Sequence, residues 1–334
     1  MLGGTLPDAF PPPWWGRLPT PEWDRPPEVP GCVSRAPCRA PGILPIAVGR
    51  QLSSVGAVES DTAVETDTAV RFLDWPESVA LGAAVAVTTR HGGVSEGPHA
   101  TLNLALHVGD DPERVQVNRE RAARAFGVEL DDLVFAEQVH GAASAVVGAP
   151  ERGRGTRGME DAIPSTDILV TTDLHATLAI LVADCVPIAL LDPEARVLAV
   201  VHAGWRGTAA LASTRALEAM GALGAQPEHV VAFIGPGAHP AHYQVDQEVY
   251  RALAAAVAPH ALPPEVARPD GPGHWKVDLM AANRQQLVLA GVTHGHILDC
   301  GVTTADDDYF SDRAARPCGR FALLARLTGS DGRP

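Results

Sequence analysis

TDILVTTDLHATLAILVADCVPIALLDPEARVLAVVHAGWRG, residues 166–207, is the stretch whose reading decides the fold. Residues 178–183 form an apolar run of strand length, and residues 186–192 and 196–201 form two more. Pro193, Glu194 and Ala195 make a short turn between the last two, which predicts a buried hairpin. Folding it brings Cys185 opposite His202 to within one residue. Directly opposed residues have Cβ atoms about 4.5–5.5 Å apart. Two ligands of one zinc ion, bound at roughly 2.0–2.3 Å each, need that closeness. Asp184 and the glycines of His202-Ala203-Gly204-Trp205-Arg206-Gly207 surround the pair with polar and backbone groups. A hairpin serving only a core would carry Val or Ile in those places.

Around this stretch lie 334 residues, 46% hydrophobic and 20% charged, enough apolar content for a large core. The formal net charge of -14 argues against a sequence-independent binder of nucleic acid or anionic membrane, which needs excess Lys and Arg. A small anionic substrate held by a few local arginines stays compatible with it. Cys32, Cys38, Cys185, Cys300 and Cys318 are odd in number and lack the spacing of a disulfide scaffold. No signal-peptide pattern opens the chain and no apolar run reaches transmembrane length. The expected setting is soluble, reducing and cytoplasmic, without nucleic-acid or membrane partners.

Residues 1–45 are dense in proline and carry Trp14, Trp15 and Trp23. Such a segment makes neither helix nor central strand. Asp-Thr-Ala-Val occurs twice between residues 61 and 70, too short a repeat to build a repeat fold. Residues 1–70 are therefore expected to be a disordered extension and linker, residues 71–328 one catalytic domain, and residues 329–334 a tail. A metal clip at Cys32 and Cys38 is a weaker reading of the extension than disorder.

Within the domain, residues 85–89 read as a strand ending in Arg90-His91-Gly92-Gly93-Val94-Ser95. Asp111 is a good N-cap with Pro112 at the first helical position, Val115, Arg119, Ala122, Ala123 and Phe126 keep helical spacing, and Gly127 stops the helix. Residues 133–139 predict a strand broken at His140-Gly141. Residues 208–223 predict an amphipathic helix starting directly after Gly207, and 246–257 and 278–290 two more. Residues 230–234, 296–299 and 321–327 predict strands. Hairpins mixed with helices favour an α+β fold with mixed sheets.

Six segments in order carry a resemblance to a known family: Arg90-His91-Gly92-Gly93-Val94-Ser95 with Leu102-Asn103-Leu104; His107-Val108-Gly109-Asp110-Asp111; Asn118-Arg119; Gln138-Val139-His140-Gly141; Ala183-Asp184-Cys185-Val186-Pro187; and His202-Ala203-Gly204-Trp205-Arg206-Gly207. Together they resemble the YfiH family, long labelled multicopper polyphenol oxidases or laccases. The resemblance spans about residues 71–327. It implies a single four-layer α/β/β/α domain. It also implies a zinc held by His140, Cys185 and His202. The implied activity is purine nucleoside phosphorolysis on adenosine, inosine, guanosine and methylthioadenosine, with adenosine deamination in the same site. The chain departs from the family pattern at His99, at Gly235-Pro236-Gly237-Ala238-His239-Pro240, and in residues 310–320, which lose part of an Arg-Arg-Asp run.

Three protein ligands leave a fourth position for water or substrate, as a catalytic zinc needs. The soft thiolate suits zinc or Cu(I) better than Mg²⁺, and zinc is expected ahead of copper. Arg90, Arg206 and Arg320 are candidates to clamp phosphate, joined by N–H groups at Gly207-Thr208 at a helix start. Asp184 is a candidate general acid or base, or a partner of a metal ligand. Asn103 is a candidate contact to sugar or base. Two alternatives stay open. One is a metal-free Cys/His hydrolase or deamidase with Cys185 as nucleophile and His202 as base. The other is a non-catalytic zinc protein, which would need a fourth ligand. The older laccase label is disfavoured: His294-Gly295-His296 is a single His-x-His pair with no Met nearby.

Overall fold

The computed structural model describes residues 52–54 and 69–329. The expected proline-rich extension with Cys32 and Cys38, most of the linker, and residues 330–334 lie outside the described residues. One short strand falls within the span expected to be linker. Leu52–Ser54 (β1) pairs antiparallel with Arg71–Asp74 (β2), so sheet pairing begins ahead of residue 71.

One six-stranded sheet has the order β1, β2, β3 (Ala83–Thr88), β15 (Phe321–Leu327), β7 (Thr177–Val182), β4 (Leu133–Phe135). A second has the order β14 (Ile297–Asp299), β10 (Val231–Ile234), β8 (Val186–Asp192), β9 (Val197–Ala203), β6 (Ile168–Thr171), β5 (Ser144–Val146). A third, small sheet joins β11 (Gln244–Asp246), β13 (His274–Val277) and β12 (Ala267–Pro269). Most neighbours are antiparallel, but β4–β7, β5–β6 and β10–β14 are parallel, so the two large sheets are mixed.

Alternation along the strands builds the layers. Leu178, Ile180 and Val182 of β7 meet Ala189, Leu191, Leu198 and Val200 of the β8–β9 hairpin in a core between the two large sheets. Ala179 and Leu181 of β7 point the other way, onto Ala122 and Ala123 of α2 (Pro112–Phe126), which follows the one-turn α1 (Glu77–Ala80) in the chain. Ile188, Leu190, Ala199 and Val201 face Ala216 and Met220 of α4 (Ala212–Gly221) and Leu287 of α6 (Leu279–Leu289). Every residue of β7, β8 and β9 is buried, because both faces of these central strands are covered. The result is the expected α/β/β/α sandwich. Full burial of one Leu or Ile here contributes about 1.5–3 kcal/mol.

The helix starts follow the caps. Asp111 accepts from the Glu113 amide at 3.0 Å ahead of Pro112, and Gly127 closes α2 at φ 83°, a left-handed conformation natural to glycine. Asp246 and Asp278 cap α5 (Gln247–Ala256) and α6 in the same way. Two expectations need correction. The helix after Gly207 begins earlier, as α3 (Trp205–Ala209), and Leu211 at φ 62° separates it from α4. The strand from residue 133 ends at Phe135. Gln138 then continues its contact with β7 by side chain, donating to the Leu181 carbonyl and accepting from the Leu181 amide, both at 2.8 Å.

Candidate active site

The β8–β9 hairpin opens the site, in a register that differs from the simple expectation. Pro187 pairs with His202 and Val186 with Ala203, which sets Cys185 across from Gly204 rather than His202. The shift of two residues keeps Cys185 and His202 on one face, since side chains alternate with period two. They meet diagonally. A Cβ on Gly204 would stand 2.7 Å from the Cys185 Sγ and 3.3 Å from the His140 Cδ2, so only glycine leaves room for the thiol.

His140 arrives from the irregular segment after β4, at φ 62°. The ligand atoms of His140, Cys185 and His202 all lie within 4.8 Å of one another. The two imidazole rings are 4.8 Å apart at 67°. Two imidazole nitrogens and one sulfur converging this closely fit a tetrahedral zinc or a Cu(I) ion, given slight closure. His202 is buried, Cys185 half-buried and His140 exposed, so the free side of the triangle faces outward.

Asp167 holds this triangle, and the sequence reading missed it. Fully buried at the entry to β6, its Oδ1 accepts from His202 Nδ1 at 2.8 Å and from the His140 amide at 3.0 Å. Its Oδ2 accepts from the Gly141 amide at 2.6 Å. One carboxylate thereby sets the His202 tautomer, leaving Nε2 for a ligand, and pins the backbone that carries His140. The available signal was an Asp placed directly before the apolar run Ile168-Leu169-Val170. Burial alone would raise the Cys185 thiol. The His202 charge and hydrogen bonds from both histidines outweigh it and pull the thiol down. Burial likewise works to lower His202, and the Cys185 and Asp167 partners outweigh it and push the imidazole up. Cys185 is thereby drawn toward the thiolate that a metal takes, whereas a metal would take His202 as neutral imidazole, its Nε2 lone pair in place of the proton.

Above the triangle lies a cavity of about 500 Å³. His140, Cys185 and His202 line it, together with the expected Asp184, Arg206 and Arg320. Arg313 and Arg316, not singled out from sequence, line it too, as do Trp205, Tyr243 and Asp312. Arg206 lies over the Trp205 ring at 4.4 Å and Arg313 over the Tyr243 ring at 4.9 Å. Burial pushes the Tyr243 phenol up to about 12, which keeps it protonated.

Arg90 and Asn103 lie outside the cavity wall. The Arg90 guanidinium donates twice to the Ala100 carbonyl, at 3.0 and 2.7 Å, and covers the Phe310 ring. Asn103 is fully buried: it donates to Asp110 at 2.9 Å and accepts from the Arg320 amide at 2.9 Å. Neither side chain lines the cavity, and Asn103 meets the site through the backbone amide of Arg320. Nor does the segment after Gly207 offer a free helix start. The Thr208 amide donates to the Gly204 carbonyl at 2.8 Å, inside α3. Asp184, at φ 87°, accepts from Thr304, from Ser311 Oγ at 2.7 Å and from the Arg313 amide at 2.6 Å. These contacts make it the anchor of residues 304–313, and the partner of His202 is Asp167 instead. His294 to His296 form a single short 3-10 turn, and among the described residues His140, Cys185 and His202 are the one group of three or more His/Cys/Asp/Glu able to hold a metal. Among them, too, no helix is long and apolar enough to cross a membrane.

A family described as "Multi-copper polyphenol oxidoreductase laccase" matches residues 84–328. A Geobacillus stearothermophilus protein named purine nucleoside phosphorylase YlmD is 39% identical over 245 residues, 70% of this chain and 86% of the relative. A Streptomyces coelicolor protein, also named a purine nucleoside phosphorylase, is 41% identical over 241 residues, 72% of this chain and 94% of its own. The crystal structure of YlmD from Geobacillus stearothermophilus superposes with a TM-score of 0.74 at 36% identity, covering 77% of this chain and 96% of that one. That of the Bacillus licheniformis hypothetical protein YfiH gives 0.73 at 29%, covering 79% and 98%. From the family match and these relatives together, the chain belongs to the YfiH family.

Proposed function

We propose that this chain is a zinc-dependent purine nucleoside phosphorylase. It would cleave adenosine, inosine, guanosine and methylthioadenosine with phosphate to the free base and ribose 1-phosphate, or the methylthio analogue. Adenosine deamination would share the site. The single observation carrying this reading is one cavity with a His140–Cys185–His202 floor and Arg206, Arg313, Arg316 and Arg320 on its wall. Zinc at that floor would supply a Lewis acid and acidify a bound water toward a pKa of about 7.

The chain's own residues do the rest. In phosphorolysis a phosphate oxygen bonds the anomeric carbon as the C–N bond breaks, and negative charge passes to the leaving purine, which takes up a proton. An acidic protein must hold a dianion against Asp184, Glu137 and its own net charge. The arginines supply that attraction through charge-assisted hydrogen bonds. Trp205, Tyr243 and Leu279 offer apolar surface for a nucleoside. Asp167 keeps His202 in one tautomer, so the floor is rigid before substrate enters. The names of the relatives support the same activity.

The test is direct: incubate metal-quantified protein with adenosine and inosine, with and without phosphate, and identify products by chromatography. Phosphate-dependent release of hypoxanthine and ribose 1-phosphate from inosine is expected, and inosine formed from adenosine reports deamination. If inosine is never cleaved at any phosphate concentration, the reading fails.

One observation favours a second reading. Cys185, His202 and Asp167 form a thiol–imidazole–carboxylate chain, the arrangement of a cysteine hydrolase. Metal content separates the two, because a nucleophile must be free and a ligand is occupied.

A further inference from the structure

The four cavity arginines fall into two pairs. Arg206 and Arg313 stack on aromatic rings, and no ion pair with a carboxylate is found for either among the described residues. Arg316 and Arg320 are both held by one carboxylate. The Asp312 Oδ2 is 2.5 Å from Arg316 Nη2, and its Oδ1 is 3.1 Å from Arg320 Nη2. Asp312 itself lines the cavity. We propose that Asp312 is a built-in competitor for phosphate: it occupies Arg316 and Arg320 until the dianion replaces it, and so sets the affinity for that substrate. This rests on the phosphorolysis reading.

The backbone argues that the exchange is a side-chain movement. Ser311 and Arg313, on either side of Asp312, are both tied to the Asp184 carboxylate. Arg320 is tied by its amide to Asn103 and by Nη1 to the Cys318 and Gly319 carbonyls. The main chain at residue 312 and the guanidinium of Arg320 are therefore fixed. The Asp312 carboxylate, about a quarter exposed, can turn away about its own χ1. Arg316 is 77% exposed and free to follow an anion. A dianion offers more charge and more acceptor oxygens than one carboxylate, and it gains Arg206 and Arg313 at the same time. Leaving Asp312 in place would set two anions side by side, so binding and displacement are coupled.

The experiment is a calorimetric titration of the full chain with inorganic phosphate, paired with separate KM values for phosphate and inosine. Asp312→Asn should bind phosphate about three- to tenfold more tightly and lower the phosphate KM alike, with the inosine KM unmoved. Asp312→Glu, which keeps the charge, should stay near wild type. Asp312→Ser removes the charge with a smaller side chain, and serves if the Asn variant does not fold. Unchanged or weaker phosphate binding in the folded neutral variants overturns the proposal, while wild-type binding that is lost in Arg206→Ala leaves the phosphorolysis reading standing. If neither wild type nor any neutral variant binds phosphate, both fall.

Discussion

Asp167 Oδ1 accepts from His202 Nδ1 at 2.8 Å, and the same carboxylate collects the His140 and Gly141 amides. One residue outside the cavity wall thus orients the His202 ring and holds the backbone that carries His140. Asp167→Asn keeps one acceptor oxygen and puts a donor in place of the other, so either the Gly141 amide or the His202 and His140 pair loses its acceptor. Its zinc affinity, read by competition with a chelator, should fall about 10–100-fold while the circular dichroism spectrum is kept. Undiminished affinity would show that Asp167 only fills the core.

Cys185→Ala removes the soft ligand. Purified wild type should carry about one zinc per chain and the variant almost none, with the fold retained. A variant that keeps its zinc but loses turnover would move the thiol-hydrolase reading ahead.

Gly204→Ala tests the close approach. The added methyl would stand 2.7 Å from the Cys185 Sγ, against backbone that the β8–β9 ladder holds in place. Overpacking of this kind costs about 1–3 kcal/mol. A lowered melting temperature together with lost metal is expected; normal metal content would mean that the thiol has room to move.

Arg206→Ala removes an arginine for which no ion pair is found among the described residues. The KM for phosphate should rise roughly tenfold or more, as for loss of a charged hydrogen bond of about 1.5–3 kcal/mol. Zinc content should hold, and deamination, which uses water, should suffer less. Equal phosphate affinity in wild type and variant would refute the anion site.

Asp110 gives a pH prediction away from the metal floor. Burial works to raise it, but hydrogen bonds from Ser95 Oγ, Asn103 Nδ2 and the Asp111 amide, with His99 nearby, hold its carboxyl below the ordinary range. A carboxyl whose pKa is lower in the folded state stabilises the fold fully above its unfolded value of about 3.9. That contribution is lost as pH falls through the folded value. Asp110→Asn should therefore melt lower than wild type at pH 7, and the gap should narrow as both are acidified below about pH 4. A gap independent of pH would assign the loss to shape alone.

Much of this was legible in the chain itself. Apolar runs bounded by Pro193 and Glu194 declare the central hairpin, because strands buried on both faces need continuous hydrophobic sequence. Asp111-Pro112 and Gly127 mark α2 through local capping chemistry. Cys185, His202 and His140 stand out as ligand types in unusual places. These are short-range signals, carried by a few neighbouring residues. Tertiary structure decided the rest. The register that faces Cys185 with Gly204 depends on the whole β8–β9 ladder, so the sequence alone placed it only approximately. Asp167 meets His202 across 35 positions, and Asp184 meets Arg313 across 129. Arg90 and Asn103 sit in motifs with the chemistry of a binding site, yet their polar groups are consumed by nearby backbone and by Asp110. Arg313 and Arg316, in the stretch that departs from the family pattern, reach the cavity because Asp184 ties the loop over it. Which charged side chain faces a ligand and which is spent on scaffold depends on long-range packing, and no local pattern carries that information.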